Sequence, residues 1–124
     1  MDKKASSSVG NLRVSSDVIV KIAELAACEI SGVSVENGRL ATSKSRAGIG
    51  ALFHSPVQAS VSKEAAVINL SIITEQGHKA VNVASAVQES VKSAVQNMTG
   101  IPVSKVNVSV VGITLNKGDN NDQA

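Results

Sequence analysis

Few side chains in this sequence are of the types that perform covalent or metal chemistry: one thiol, Cys28, and two imidazoles, His54 and His78. A nucleophilic cysteine needs a neighbouring base and a group that orients that base, and no local motif connects these three residues. A zinc site would need all three to converge without the closely paired ligands that are typical of structural zinc. We therefore expect Cys28 to pack as a small apolar residue, His54 to sit in a loop beside Phe53, and His78 to be a solvated turn residue.

The remaining reactive groups are scattered in the same way. No two of the carboxylates in the central part of the chain have a spacing that indicates an acid/base pair, and no G-x-S-x-G motif surrounds any serine. The segment Gly48 to Gly50 is only a fragment of a phosphate-binding loop, because the following Gly-Lys-Ser/Thr is missing. The sequence thus predicts a protein that is not an enzyme, with no catalytic residue, cofactor or metal.

The composition favours one small domain with a core of aliphatic side chains. The chain has 124 residues, 43% of them hydrophobic, but Phe53 is its only aromatic residue. The net charge of +2 supplies no large field that would attract a polyanion. The first ten residues, MDKKASSSVG, contain lysines but no apolar run, and no stretch of about 18 apolar residues could span a membrane. We expect a cytoplasmic protein that does not insert into the membrane itself.

Two helices are predicted from apolar residues that recur on one helical face. The first should run from about Ser16 to Ile30 and end at Gly32. The second should run from about Lys79 to Asn97, and Gly100 can close it in the left-handed conformation. The buried stripe of this second helix is predicted to contain Ala80, Ala84, Val87, Val91, Ala94, Val95 and Met98.

Strands are predicted where apolar and polar residues alternate. The segment GVSVENGRL, residues 32–40, predicts a strand that turns at Asn37-Gly38. Residues 57–72 predict a β-hairpin, and residues 103–110 a final strand. The order helix, strand, hairpin, helix, strand predicts an α+β fold, a two-layer sandwich with two helices on one face of a three- or four-stranded mixed sheet.

The domain boundaries follow from composition. Residues 1–10 and 116–124 are small, polar and charged, and we expect them to be disordered tails. Residues 11–115 should form one domain. Within it, residues 41–55 are rich in glycine, serine and basic residues without a clear period, and we expect an irregular loop there.

The sheet face turned away from the helices is predicted to carry no charge. Residues 65–74 and 106–116 contain no Lys, Arg, Asp or Glu, although exposed strands commonly use such charges to discourage pairing with other chains. The strands could be central in the sheet or covered by residues 41–55, and otherwise their surface favours self-association. The candidate self-association surface consists of Asn69, Ser71, Ile73, Asn107, Ser109 and Val111.

An RNA-binding module of the KH type is the alternative interpretation, because such modules have similarly small α+β arrangements. KH modules clamp the RNA backbone with a G-x-x-G loop, and no two glycines of this chain are three positions apart. The chain also lacks aromatic platforms on which bases could stack. What supports the alternative is a basic group, Arg39, Lys44 and Arg46, which could contact phosphates or a protein partner. Nucleic acid is not the favoured partner.

Two stretches resemble the alkaline shock protein family, the cell-envelope stress proteins of Gram-positive bacteria. They are VSSDVIVKIAELAACEISGV and QGHKAVNVASAVQESVKSAVQNMTGIPVSKVNVSVVGI, and the resemblance covers about residues 12–113. Its most specific part contains Val87-Gln88 and Val91 and runs into Met98-Thr99-Gly100. The resemblance implies a non-enzymatic cytoplasmic scaffold that forms homo-oligomers, and a role in envelope homeostasis or the stress response. It also implies peripheral attachment to the inner face of the cell membrane through a membrane-anchored protein partner.

Overall fold

A computed structural model describes residues 13–42, 56–62 and 64–115 of the chain. The predicted tails, 1–10 and 116–124, lie outside the described residues, as does all of the predicted irregular loop except residues 41 and 42. The α+β class and the mixed sheet are confirmed. The elements are α1 (Ser16–Cys28), β1 (Val35–Glu36), β2 (Arg39–Leu40), β3 (Val57–Val61), β4 (Ala66–Glu75), α2 (Ala80–Thr99) and β5 (Val103–Thr114).

Helix α1 begins at a serine cap and packs one face into the core. The Ser15 side chain accepts a hydrogen bond from the backbone N–H of Val18, and Asp17 lies in the first turn, where the helix dipole favours a carboxylate. The helix ends at Cys28, two residues earlier than predicted. Its buried residues are Ile19, Ile22, Ala23, Glu24, Ala26 and Ala27.

Helix α2 crosses the sheet with a stripe of four valines at intervals of four residues: Val83, Val87, Val91 and Val95. The prediction that Met98 belongs to this stripe is wrong, because its side chain is 71% exposed. An interval of four residues turns the stripe by about 40° per step, since a helix has 3.6 residues per turn, so the next position is Thr99. Gly100 ends the helix as predicted, with φ +78° and its N–H bonded to the carbonyl of Gln96.

The main sheet has the strand order β3–β4–β5, with β4 in the centre. Strand β3 is antiparallel to β4 and forms the predicted hairpin, whereas β5 is parallel to β4 and returns through α2. The residues Ile68, Leu70 and Ile72 of β4 face the helices and are almost fully buried. On β5, Val106 and Val108 lie beside Ile68 and Leu70 and pack against the same core.

The short hairpin β1–β2 turns at Asn37-Gly38 as predicted, with φ values of +54° and +79°. The segment before the hairpin pairs with β4, past the point where β3 begins. In this pairing the N–H of Ser34 donates to the carbonyl of Ile73 over 2.7 Å. Gly32, with φ +98°, makes this approach possible. A Cβ atom at Gly32 would lie 2.7 Å from Cγ2 of Val83 and 3.0 Å from Cγ of His78, so only glycine fits without a shift.

Candidate interaction surface

The sheet face opposite the helices is uncovered among the described residues, and we call it the open face. Five of the six predicted surface residues lie on it. Asn107 of β5 stands beside Asn69 of β4, and Ser109 stands beside Ser71. Asn69, Asn107 and Ser109 are exposed, while Ser71 and Ile73 are half-buried. The alternation of a strand therefore places these residues on one surface, as the sequence predicts.

The sixth residue, Val111, lies at a break in the register between β4 and β5. Ile72 pairs with Val110 and Ile73 pairs with Gly112, so Val111 is the extra residue of a β-bulge. It is Gly112 that stands beside Ile73 on the open face. Simple alternation along β5 predicts that Val111 shares a face with Asn107 and Ser109, because alternation does not reveal a bulge.

Amide side chains form a row across all three strands of the open face. Gln58 of β3 stands beside Asn69, and Asn69 stands beside Asn107. The Nδ2 atom of Asn107 donates to Oδ1 of Asn69 over 2.8 Å. Each amide group has both donor and acceptor capacity, so this bond leaves the Asn69 amino group and the Asn107 carbonyl oxygen able to bond another surface. The row is suited to a polar, neutral partner.

Charged side chains are found at the two ends of the open face and not between them. Lys105 stands beside Val67 at the start of the sheet, and Glu75 stands beside Thr114 at the other end. Eight residue steps along β4 lead from Val67 to Glu75, which corresponds to about 26 Å at about 3.3 Å per step. The open face is thus a neutral surface with a positive end and a negative end.

A groove of about 450 Å³ runs between α2 and the first part of β5. The Nε2 atom of Gln88 donates to the carbonyl of Val106 over 3.0 Å, and the N–H of Val103 donates to Oε1 of Gln96, also over 3.0 Å. The groove surface is about half polar and half apolar, and its charged groups have mixed sign, so it does not select one type of ligand charge. Its lining residues are Ser85, Gln88, Glu89, Lys92, Ser93, Gln96 and residues 103–106.

One member of the predicted basic group lies in the described part of the chain. Arg39 lies in β2, and its Nη2 atom is 3.4 Å from Oε1 of Glu24. The other carboxylate oxygen of Glu24 accepts a hydrogen bond from the backbone N–H of Leu40 over 3.2 Å. The remaining two members, Lys44 and Arg46, lie outside the described residues. The guanidinium of Arg39 is thus directed to a carboxylate on α1.

Glu24 is a structural residue that the sequence interpretation missed. Its side chain is buried although it is charged, and it joins α1 to the β1–β2 hairpin through the two contacts just described. A signal was present, because Glu24 lies within the apolar arc of α1, next to Ala23 and Ala27. A carboxylate on a buried helical face requires a donor from another part of the fold.

Cys28 and His78 occupy separate structural positions. The Cys28 side chain is partly buried against the core, with Sγ 3.9 Å from the carbonyl oxygen of Gly38. Burial, followed by the nearby carboxylate of Glu24, raises the pKa of the Cys28 thiol, although Arg39 acts in the opposite direction. His78 is exposed, and its ring lies against Gly32. The third residue considered for chemistry, His54, lies outside the described residues.

Residues 13–42, 56–62 and 64–115 contain neither a metal-binding cluster nor a membrane-spanning helix. Within them, no three His, Cys, Asp or Glu side chains come together in a way that could hold a metal ion. The helices in that part of the chain are too short or too polar to cross a membrane.

Comparison with known proteins gives a family match over most of the chain. The model of the alkaline shock protein 23 family, described by a cell envelope-related function, matches residues 4–115. The uncharacterized protein YqhY of Bacillus subtilis (strain 168) is 28% identical over 106 residues, which cover 85% of this chain and 78% of that protein. The uncharacterized protein Spy1535 of Streptococcus pyogenes serotype M6 is 30% identical over 110 residues, 88% of this chain and 83% of the relative. No solved structure shows a significant match.

Proposed function

Because the chain belongs to the alkaline shock protein 23 family, whose function is related to the cell envelope, we propose that it is a structural scaffold protein of the cell envelope. In this proposal the protein is not an enzyme. It assembles with copies of itself through the open face, and it binds a protein partner. The observation that carries the proposal is the neutral centre of the open face, with its row of amides and its pair of serines.

The chemistry of the open face favours a second copy as the occupant. Burying a charge between two proteins carries a large desolvation cost, and the centre of this face has no charge to bury. Each amide and hydroxyl group there can act as donor and acceptor, so the surface can bond an identical surface. Half-buried Ile73 adds apolar contact.

The charged ends indicate how two copies would be oriented. If two open faces pack with their strands antiparallel, Lys105 of each copy meets the end that carries Glu75 of the other. If the strands were parallel, each Lys105 would meet the other Lys105 and the two Glu75 side chains would repel. Opposite charges at the rim of an interface direct its orientation more than they add affinity, so we expect the antiparallel arrangement.

Attachment to the membrane is assigned in this proposal to the partner. The family's cell envelope function supports a site of action at the inner face of the cell membrane, where a membrane-anchored protein would hold the assembly. The non-enzymatic assignment is supported by Cys28, because a partly buried thiol with a raised pKa is a poor nucleophile at neutral pH. Recovery of one integral membrane protein after cross-linking in the native host would support the attachment, and recovery of soluble proteins alone would contradict it.

Sedimentation velocity of the full chain tests the self-association and its orientation together. We expect Ser71→Lys to weaken association, because it places a charge at the neutral centre of the open face. The control Asn97→Lys adds the same charge at an exposed position of α2 and should leave association unchanged. Lys105→Glu and Glu75→Lys should each weaken association, whereas the double variant should restore it. A double variant that is no stronger than either single variant would contradict the antiparallel arrangement.

A further inference from the structure

The turn of the β1–β2 hairpin contains the single Asn-Gly dipeptide of the sequence, Asn37-Gly38. Asn37 is exposed and has φ +54°, and Gly38 has φ +79°. A Cβ atom at Gly38 would meet nothing within 4 Å, so the space beside its backbone is open. A glycine nitrogen is not shielded by a side chain of its own residue, and the side-chain amide of Asn37 precedes it directly. The turn therefore brings together an electrophilic carbon and a backbone nucleophile.

The hairpin around this turn is short, and a buried carboxylate fastens it to α1. Strands β1 and β2 have two residues each, and a two-stranded hairpin is marginally stable unless it packs against other elements. Both residues of β1 are exposed. On β2, the N–H of Leu40 and the guanidinium of Arg39 both contact Glu24. Local opening of the turn therefore requires the loss of only a few contacts, and Glu24 makes two of them.

We propose that Asn37 is a site of spontaneous deamidation, in which the turn supplies its own nucleophile and Glu24 limits the rate. The backbone nitrogen of Gly38 attacks Cγ of Asn37 and forms a new C–N bond, while the Cγ–Nδ2 bond breaks. The side-chain nitrogen leaves as ammonia with the proton that the Gly38 nitrogen gives up. Water then adds to the resulting cyclic imide, breaks one of its two C–N bonds and restores the N–H of Gly38. Opening at Cγ gives aspartate, and opening at the backbone carbonyl carbon gives isoaspartate.

The two products differ in what they do to the hairpin. Isoaspartate lengthens the backbone by one atom, which the tight turn that pairs Glu36 with Arg39 does not accommodate. Arg39 then loses its position beside Glu24, and the carbonyl of Gly38 moves from its place 3.9 Å from Sγ of Cys28. Aspartate keeps the backbone length, and Asp-Gly suits the same turn. The isoaspartate form therefore loosens the hairpin from α1. This modification does not involve the open face and goes beyond the proposed function.

Peptide mapping by mass spectrometry of the full chain, during incubation at mildly alkaline pH, measures the reaction. The chain provides internal controls, because Asn82 and Asn97 are also exposed but lie within α2 and precede residues with larger side chains. We expect Asn37 to change from amide to carboxyl, with isoaspartate among the products, while the two helical asparagines stay unchanged over the same time. Equal rates at the three positions, including no reaction at any of them, would overturn the proposal.

Variants of Glu24 test its control over the rate. Because the turn must open before the ring closes, a larger open fraction raises the rate in proportion. Glu24→Ala removes the acceptor of a buried N–H, so we expect deamidation at Asn37 to be about tenfold faster. Glu24→Gln keeps an acceptor oxygen and should accelerate the reaction less, and it serves as the test if Glu24→Ala folds poorly. An unchanged rate at Asn37 in the folded variants, or an equal acceleration at Asn82, would contradict control by Glu24.

Labelling of Cys28 by a thiol reagent under native conditions tests the structural consequence. The Cys28 side chain is partly buried beside the hairpin, so loosening the hairpin should expose it. We expect the isoaspartate form, separated from the unmodified chain, to be labelled faster than fresh protein. Fresh Asn37→Asp is the matched control, because it carries the new charge on an unchanged backbone, and it should be labelled like the wild type. If the isoaspartate form is labelled no faster than either, the loosening of the hairpin is overturned.

Discussion

The substitution Gly32→Ala tests how the backbone conformation and close packing at Gly32 join the helices to the sheet. Gly32 has φ +98°, a conformation that alanine adopts only with strain. Gly32 lies between α1 and the strand-like segment that pairs with β4. In this pairing the N–H of Glu75 donates to the Gly32 carbonyl over 2.8 Å. A methyl group at this position would also lie 2.7 Å from the Val83 side chain of α2. The substitution therefore strains the backbone and the packing at once.

The chain contains a matched control that separates these two effects. Gly77 has φ +97°, but a Cβ atom there would meet nothing within 4 Å. Both alanine variants carry the backbone strain, about 1–2 kcal/mol per residue for a left-handed conformation. Only Gly32→Ala adds the overpacking cost, which is about 1–3 kcal/mol in a well-packed core. We expect Gly77→Ala to cost about 1–2 kcal/mol and Gly32→Ala about 2–5 kcal/mol of unfolding free energy.

Urea unfolding followed by far-ultraviolet circular dichroism measures both variants at one fixed protein concentration, so that the proposed self-association would affect all of them alike. The variant Val83→Ala removes the obstructing Cγ2 atom, so Gly32→Ala should cost less in that background than in the wild type. The reasoning is refuted if Gly32→Ala and Gly77→Ala agree within about 0.5 kcal/mol, the usual limit for independent effects. It is also refuted if Val83→Ala leaves the cost of Gly32→Ala unchanged.

Two further predictions concern the contact between α1 and the β1–β2 hairpin. Glu24→Ala leaves the buried N–H of Leu40 without its acceptor, so we expect a loss of about 1–3 kcal/mol in urea unfolding, and a smaller loss for Glu24→Gln, which keeps an acceptor oxygen. Because burial and Glu24 raise the pKa of the folded Cys28 thiol, the folded chain keeps a proton that the unfolded chain releases at lower pH. The stabilising effect of the thiol is therefore complete below the pKa of the unfolded chain and is lost as pH rises through the folded pKa. The stability difference between wild type and Cys28→Ser should follow that course, and a difference independent of pH would contradict it.

The parts of the fold that local chemistry specifies could be predicted from the sequence. The Asn37-Gly38 dipeptide tolerates positive φ at both positions and produced the predicted turn. Gly100 closes α2 in the left-handed conformation for the same reason. The pairing of Asn69 with Asn107 on one face also follows, because the register between β4 and β5 is unbroken from Val67 and Lys105 to Ile72 and Val110.

The parts that depend on contacts between distant residues could not be predicted in the same way. The stripe of α2 drifts around the helix and includes Val83 instead of Met98, because the crossing of the helix over the sheet decides which face is buried. The bulge at Val111 comes from the register between two strands far apart in sequence. The ion pair of Arg39 with Glu24 joins residues 15 positions apart, and the sequence interpretation assigned Arg39 to a partner or to phosphates instead.

The measurement that tests the central claim most directly is sedimentation velocity of the full chain beside Ser109→Lys, over a series of protein concentrations. Ser109 is exposed at the neutral centre of the open face, so a lysine there should oppose packing against a second copy without disturbing the fold. We predict that the wild type forms an oligomer of defined size whose fraction rises with concentration, and that Ser109→Lys has a smaller average mass at every concentration at which the wild type is associated. A wild type that stays monomeric throughout the series, or an oligomer that Ser109→Lys leaves unchanged, would contradict assembly through the open face.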